Sequence, residues 1–202
     1  QQTSSPSLNN FLQISTSSVY GRMADSSEEA PTNPFSPYGV SKLAAEKLGF
    51  AHRDNFGLPF TVLRYFSVYG PGQRPDMAYH RFLKAARDNT PITIFGDGEQ
   101  RRTNTYVDDI VDATIAAIDR STPGEIYNIS GSESYSLNEV LGMVREISEA
   151  ELDIRYEPAR PGDQRETKGA IDKARRELGY DPQWSLRDGL SKEWEWLATL
   201  AE

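Results

Sequence analysis

The chain has 202 residues, 37% hydrophobic and 26% charged, the composition of a folded globular protein of one domain, or one domain plus a small lobe. Its formal net charge of −8 argues against nucleic acid as a partner, because a phosphate backbone calls for a basic face. The lack of cysteine excludes disulfides, thiolate metal sites and a cysteine nucleophile, and two histidines, His52 and His80, cannot build a histidine-rich metal centre.

In chain order, QQTSSPSLNN (1–10) is a polar leader with no signal-peptide core, and no apolar run reaches membrane-span length. A cytoplasmic location without a membrane partner is therefore expected. FLQIS (11–15) reads as a short strand, and the Pro-, Ser- and acid-rich RMADSSEEAPTNPFSP (22–37) as a surface loop. A helix is predicted from Pro37, a favoured first-turn residue, to about Phe56, where Gly57 and Pro59 stop it. FTVLRYF (60–66) is β-branched and aromatic, a buried strand. A second helix covers Met77–Asn89, and ITIF (92–95) is a strand closed by the GDG turn (96–98).

TNTYV (103–107) reads as a strand, followed by a helix starting at Asp108 or Asp109 and carrying Ile110, Val111, Ile115 and Ile118. EIYNIS (125–130) is a strand, and Ser136-Leu-Asn-Glu139 is a capping box opening an amphipathic helix. DIRYEP (153–158) is a small strand. DKARRELG (172–179) and SLRDGLSKEWEWLATL (185–200) are helices, Gly179 ending the first. Alternating strands and helices define an α/β fold with a largely parallel sheet. A strand–Gly-x-Gly-x-x-Gly–helix unit is absent: GPGQRP (70–75) and GDGEQR (96–101) each lack the third glycine, and neither precedes a suitable helix.

Tyr38 and Lys42 stand one helical turn apart on one face. An ammonium beside a phenol favours the phenolate, so the pair is fitted to take a hydroxyl proton; alone, the same spacing also belongs on a solvated helix face. Thr16, Ser17 and Ser18 cluster where the first strand ends, the edge at which open α/β sheets place ligands. Arginine supplies most of the 22 basic residues, which suits bidentate phosphate contacts.

Strand, Thr-Ser-Ser, loop and Tyr-x-x-x-Lys together resemble the extended short-chain dehydrogenase/reductase family, in its nucleotide-sugar epimerase and dehydratase branch. LRYFSVYGPGQRPDMA (63–78), ITIFGDGEQRR (92–102), YVDDIVDA (106–113), YNIS (127–130), ARPGD (159–163) and LGYDPQWSLRDGL (178–190) extend the likeness over roughly residues 11–197. The resemblance implies the C-terminal part of a Rossmann-like parallel sheet plus a small α/β substrate lobe. Residues 11–75 and 103–130 would be the remaining core, and 76–102 and 131–202 the nucleotide-sugar lobe.

The resemblance also assigns roles. Tyr38 would take the sugar hydroxyl proton as hydride passes to NAD, Lys42 would hold the nicotinamide ribose, and Thr16 would hydrogen-bond the reacting oxygen. Tyr65 and Phe66 would lie beside the nicotinamide. Arg102 and Arg160 would grip the diphosphate of a UDP-sugar, with Arg101 able to share that work. Ser17 and Ser18 stand where dehydratases and decarboxylating relatives carry acids, which points to an epimerase. Ser67 and Arg74, in SVYGPGQRPDMA, resemble the UDP-glucuronate 4-epimerases, with UDP-glucose as the alternative substrate.

The implied reaction is C4 oxidation, turnover of the keto sugar and reduction on its other face. The resemblance also implies that an N-terminal NAD-binding part is missing, so weak NAD binding by the chain alone is expected. The segment RTN (102–104) departs from the family pattern. A second reading is a truncated, noncatalytic nucleotide-sugar-binding or oligomerisation module. A homodimer, or assembly with the missing part, is expected, because the Tyr38 helix belongs to the family's dimer-forming bundle.

Overall fold

The computed structural model describes residues 8–22, 25–159 and 165–200. In chain order the elements begin with β1 (Phe11–Thr16), a one-turn 3-10 helix (Ser17–Tyr20), β2 (Asp25–Ser26), α1 (Pro37–Phe56), β3 (Phe60–Tyr65) and β4 (Val68–Tyr69). Then come α2 (Ala78–Asp88), β5 (Ile92–Phe95), β6 (Arg101–Thr103), β7 (Thr105–Tyr106), α3 (Val107–Arg120) and β8 (Ile126–Ile129). The chain continues through β9 (Ser134–Ser136), α4 (Leu137–Ser148), β10 (Ile154–Glu157), β11 (Glu166–Gly169), α5 (Asp172–Leu178) and α6 (Leu186–Thr199). The class is α/β with parallel strand pairing, as the sequence implies.

The chain forms two compact units, the first comprising Gln1–Phe66, Val111–Ile129 and Gly169–Asp181 and the second Ser67–Ile110, Ser130–Lys168 and Pro182–Glu202. The first unit is built on a parallel sheet in the order β1-β3-β8, with Thr16 opposite Tyr65 and Tyr65 opposite Ile129. Its centre is strongly apolar on both faces, as a parallel strand between helices requires: Val62, Leu63, Tyr127 and Ile129 are sealed from solvent, with Ala113, Ala117, Ala174 and Leu178 from the helices.

Arg64 and Glu46 interrupt this apolar interior as a buried ion pair at 2.7 Å, whose second prong runs from Arg64 Nε to Glu46 Oε1 at 3.0 Å. Each remaining polar atom there has a partner: Ser15 Oγ donates to Glu46 Oε1, and Arg64 donates to the Tyr20 hydroxyl, which donates to Asn128 Oδ1. Such full pairing is what makes buried charge tolerable.

The second unit holds α2, α4 and α6 around a core that includes Leu83, Ile92, Ile94, Leu141, Val144 and Leu190. Asp109 positions the start of the last helix, its two carboxylate oxygens accepting the Gln183 and Trp184 backbone N–H groups.

Two expectations change. TNTYV is not one strand: β6 ends at Thr103, β7 is only Thr105–Tyr106, and Val107 already belongs to α3. Asn104 breaks the run, its side chain turning back to the Arg102 carbonyl and the Tyr79 hydroxyl. The segment 22–37 is not wholly a surface loop. Ser26 is buried in β2, and Glu28 accepts the Asn128 backbone N–H at 2.8 Å, so polar residues enter here because Asn128 satisfies them. Residues 1–7 of the polar leader lie outside the described residues, and among those described no helix is long and apolar enough to cross a membrane.

Candidate functional site

In the first unit the site begins at the end of β1. Thr16 caps the 3-10 turn: its Oγ1 accepts the Ser18 N–H at 3.2 Å and lies 3.3 Å from Ser18 Oγ. Ser36 caps α1 by accepting the Gly39 N–H at 3.0 Å. Gly39 is required by proximity, since a Cβ there would sit 2.8 Å from the Ser18 carbonyl oxygen. The first turn of α1 is thereby drawn against the Thr16–Ser18 turn.

Tyr38 projects from that first turn with 55% of its surface exposed. One turn on, Lys42 is half-buried, its Nζ 5.9 Å from the centre of the Tyr38 ring and donating to the Ile14 carbonyl at 3.0 Å. Lys42 thus ties α1 to β1 while holding its charge beside the phenol ring. An ammonium carries three donors, and the Ile14 carbonyl engages one of them. The structure therefore brings Thr16, Ser17, Ser18, Tyr38 and Lys42 to one end of β1.

Tyr65 and Phe66 are placed differently. The Tyr65 hydroxyl shares a 2.6 Å hydrogen bond with Thr114, and burial raises its pKa. Phe66 is buried with Val19 and Tyr20.

In the second unit a cleft of about 220 Å³ is lined by Ser67, Gln73, Tyr79, Arg102, Asn104 and Tyr135 among others. Arg102 is set there by β6, its Nη1 donating to the Arg101 carbonyl at 2.8 Å. Strand alternation sends Arg101 to the other side, where it donates to the Ser134 carbonyl and pairs with Glu139 at 3.1 Å. Arg101 is not among the residues that line the cleft. Arg74 is exposed and pairs with Asp76 at 3.0 Å. Arg160 lies outside the described residues. Among the described residues no cluster of three or more acidic or histidine side chains is placed to hold a metal ion.

The NAD dependent epimerase/dehydratase family matches residues 3–130, more than half of the chain. The chain belongs to that family. An uncharacterized UDP-glucose epimerase of Bacillus subtilis, YtcB, is 42% identical over 196 residues, covering 96% of this chain and 62% of that protein. UDP-glucuronate 4-epimerase of Thermodesulfobacterium geofontis is 36% identical over 185 residues, covering 90% of this chain and 57% of that protein. Among solved structures, UDP-glucuronic acid 4-epimerase from Bacillus cereus in complex with UDP-glucuronic acid and NAD superimposes with a TM-score of 0.92 at 42% identity, over 96% of this chain and 63% of that one. The chain thus spans about three fifths of the length of these epimerase-family relatives.

Among the cleft residues that sequence reading of this epimerase-family chain missed are Gln73, Tyr79 and Asn104. Gln73 carried a signal in its place within GPGQRP, directly after two glycines. Tyr79 is buried, but its hydroxyl accepts from Asn104 Nδ2 at 2.5 Å in the cleft wall. Asn104 stood out only as a departure from the family pattern; the structure makes it the residue that both breaks the strand and lines the cleft.

Proposed function

We propose that this chain is the proton-transfer and nucleotide-sugar part of an NAD-dependent UDP-sugar 4-epimerase, acting on UDP-glucuronate or UDP-glucose. The observation that carries the reading is Lys42, held 3.0 Å from the Ile14 carbonyl beside the exposed Tyr38 ring at the end of β1. That arrangement fits a nicotinamide ribose, because Lys42 has further donors for its hydroxyls and the phenol faces outward. A bound NAD would supply the hydride acceptor and donor. The chain's own residues handle the proton and the grip. Tyr38, as the phenolate, takes the C4 hydroxyl proton, and the phenol so formed later returns it. Thr16, with Ser17 and Ser18 beside it, hydrogen-bonds the same oxygen, and Lys42 orients the ribose.

In the second unit Arg102 lines the cleft with Gln73 and Asn104, a cation and two amides suited to a nucleoside diphosphate. Arg160 would add a second diphosphate contact, and Ser67 and Arg74 would address the sugar and its carboxylate. Tyr65 and Phe66 would then border the nicotinamide side as backbone support. In this reading the first unit is the remainder of the dinucleotide-binding core and the second the nucleotide-sugar lobe. Two copies would pair through the exposed apolar face of α1, with Val40 and Leu48, supported by Val111, Ile115 and Ile118 of α3. The cytoplasm is the expected location.

Calorimetric titration tests the reading. UDP-glucuronate or UDP-glucose should bind one to one, Arg102→Ala should weaken that binding at least tenfold, and Tyr38→Phe should leave it unchanged. Absence of heat and of thermal stabilisation with both sugars sinks the nucleotide-sugar assignment.

A further inference from the structure

Glu193, on α6, is 1% exposed, yet only one of its carboxylate oxygens is satisfied. Oε2 accepts the Gly70 backbone N–H at 3.0 Å, while Oε1 has no partner. Gly70 sits at a φ of +130°, and a Cβ there would meet the Tyr106 and Val107 side chains at 2.9 Å. The backbone at this point is therefore fixed tightly, and Glu193 is the side chain that fixes it.

The segment running on from Gly70 forms one wall of the cleft. The Gly70 carbonyl accepts the Gln73 N–H at 3.0 Å. The Gln73 side chain then latches both ways: Nε2 donates to the Val68 carbonyl and Oε1 accepts the His80 backbone N–H, each at 2.9 Å. The second bond matters because Met77, the residue before α2, supplies no side-chain cap; Gln73 takes that part. Gln73, Met77, Ala78 and Tyr79 all line the cleft. The chain of bonds from Glu193 through Gly70 and Gln73 thus sets the wall.

We propose that Glu193 is a positioning residue for this cleft, and that its protonation loosens the Gly70–Tyr79 wall and weakens nucleotide-sugar binding. The inference rests on the reading of the cleft as a nucleotide-sugar site. Its sign comes from the chemistry. A carboxylate accepts a charge-assisted bond from Gly70, and the carboxylic acid a weaker neutral one. Burial pushes the Glu193 carboxyl up to about 7, and the Gly70 N–H opposes that rise by favouring the ionised form. Binding that needs the pinned wall therefore strengthens as the pH rises through neutrality.

The groups around Glu193 are mostly phenols and acids. Tyr69, Tyr79 and Tyr106, from β4, α2 and β7, all feel its charge, and each is raised by burial. Asp109 of α3 acts on Tyr69, and Glu195 of α6 on Tyr106. Arg87 reaches the Leu197 carbonyl, and Arg187 pairs with Glu146 of α4 at the surface. His80 faces Trp196 at 5.9 Å, and burial holds its pKa below the usual imidazole value. His80 donates its backbone N–H to Gln73 in the same wall and therefore needs its own control.

Two measurements on the 202-residue chain test the proposal. In amide NMR without ligand, the Gly70 backbone and Gln73 side-chain resonances should titrate together, with a midpoint near neutrality. They should be flat in Glu193→Gln and retained in His80→Gln. In calorimetry, UDP-glucose, whose diphosphate does not titrate here, should bind roughly fivefold more weakly at about pH 6 than at about pH 8, with little change in Glu193→Gln. A flat Gly70 resonance in the wild type, the same pH dependence in both proteins, or tighter binding in acid overturns the proposal. If UDP-glucose binds at neither pH, the nucleotide-sugar reading fails instead. The resonances then decide alone: Gln73 moving with Gly70 supports the coupling, and Gln73 staying still while Gly70 moves overturns it.

Discussion

Arg64 and Glu46 face each other as a fork, Nη2 to Oε2 at 2.7 Å and Nε to Oε1 at 3.0 Å, with both side chains sealed from solvent. Arg64 also lies 4.8 Å from the Tyr20 ring centre, so its guanidinium is enclosed on a second side. Losing one partner leaves a buried charge unpaired. Arg64→Met is expected to cost about 3–5 kcal/mol in urea unfolding, and Glu46→Gln with Arg64→Met less than the sum of the single changes. Additive losses would show that the pair is not a unit.

Tyr38 and Lys42 should separate in their effects on stability. Tyr38 is half-exposed and lies outside the core, so Tyr38→Phe should change unfolding free energy by less than about 0.5 kcal/mol. Lys42→Met removes the donor to the Ile14 carbonyl and should cost about 1–2 kcal/mol. A stability loss for Tyr38→Phe as large as that for Lys42→Met would make Tyr38 a structural residue, against the proton-transfer role.

The capping box of α4 is reciprocal: Ser136 Oγ accepts the Glu139 N–H at 3.1 Å, and Glu139 accepts the Ser136 N–H at 2.6 Å. The N–H bond from Ser136 and the Arg101 charge keep the Glu139 pKa below its usual value. Ser136→Ala should destabilise by about 1 kcal/mol. Because α4 gives Leu137 and Val140 to the cleft, the same variant should weaken UDP-sugar binding, read by calorimetry, while Ser148→Ala at the other end of the helix should not.

Local signals account for the part of the fold that was legible in the sequence. Pro37 and Gly57 bound α1, ITIF matches β5, and Ser136–Glu139 opens α4, because each rests on backbone chemistry within a few residues. The Thr16–Tyr38–Lys42 grouping was legible through one helical turn and one strand end. The cleft was less so. Asn104 and Tyr79 are far apart in sequence, and nothing local to either announces their 2.5 Å bond. Arg101 and Arg102 read alike as neighbours, and only the pleat of β6 and the pairing of β6 with β9 divides them. Glu193 sits in a run of charged and aromatic residues, SKEWEW, where burial of one acid depends on packing against β4 rather than on composition.

Glu193 also makes stability depend on pH. Its carboxyl is raised from the ordinary 4.5 to about 7 in the folded chain by burial. The folded state therefore holds the proton more tightly than the unfolded one. The stability linked to this group is complete below about pH 4.5 and is lost as the pH rises through about 7. Above that the loss reaches at most about 3 kcal/mol, from the size of the shift. Glu193→Gln keeps the shape and cannot ionise. The variant should match the wild type in acid and exceed it by about 2–3 kcal/mol above neutrality. Glu28, also raised by burial, titrates in both proteins and drops out of the comparison. Urea unfolding of the two proteins from about pH 4.5 to about pH 8.5 checks this. Parallel curves would mean that Glu193 is not the buried acid that limits stability at high pH.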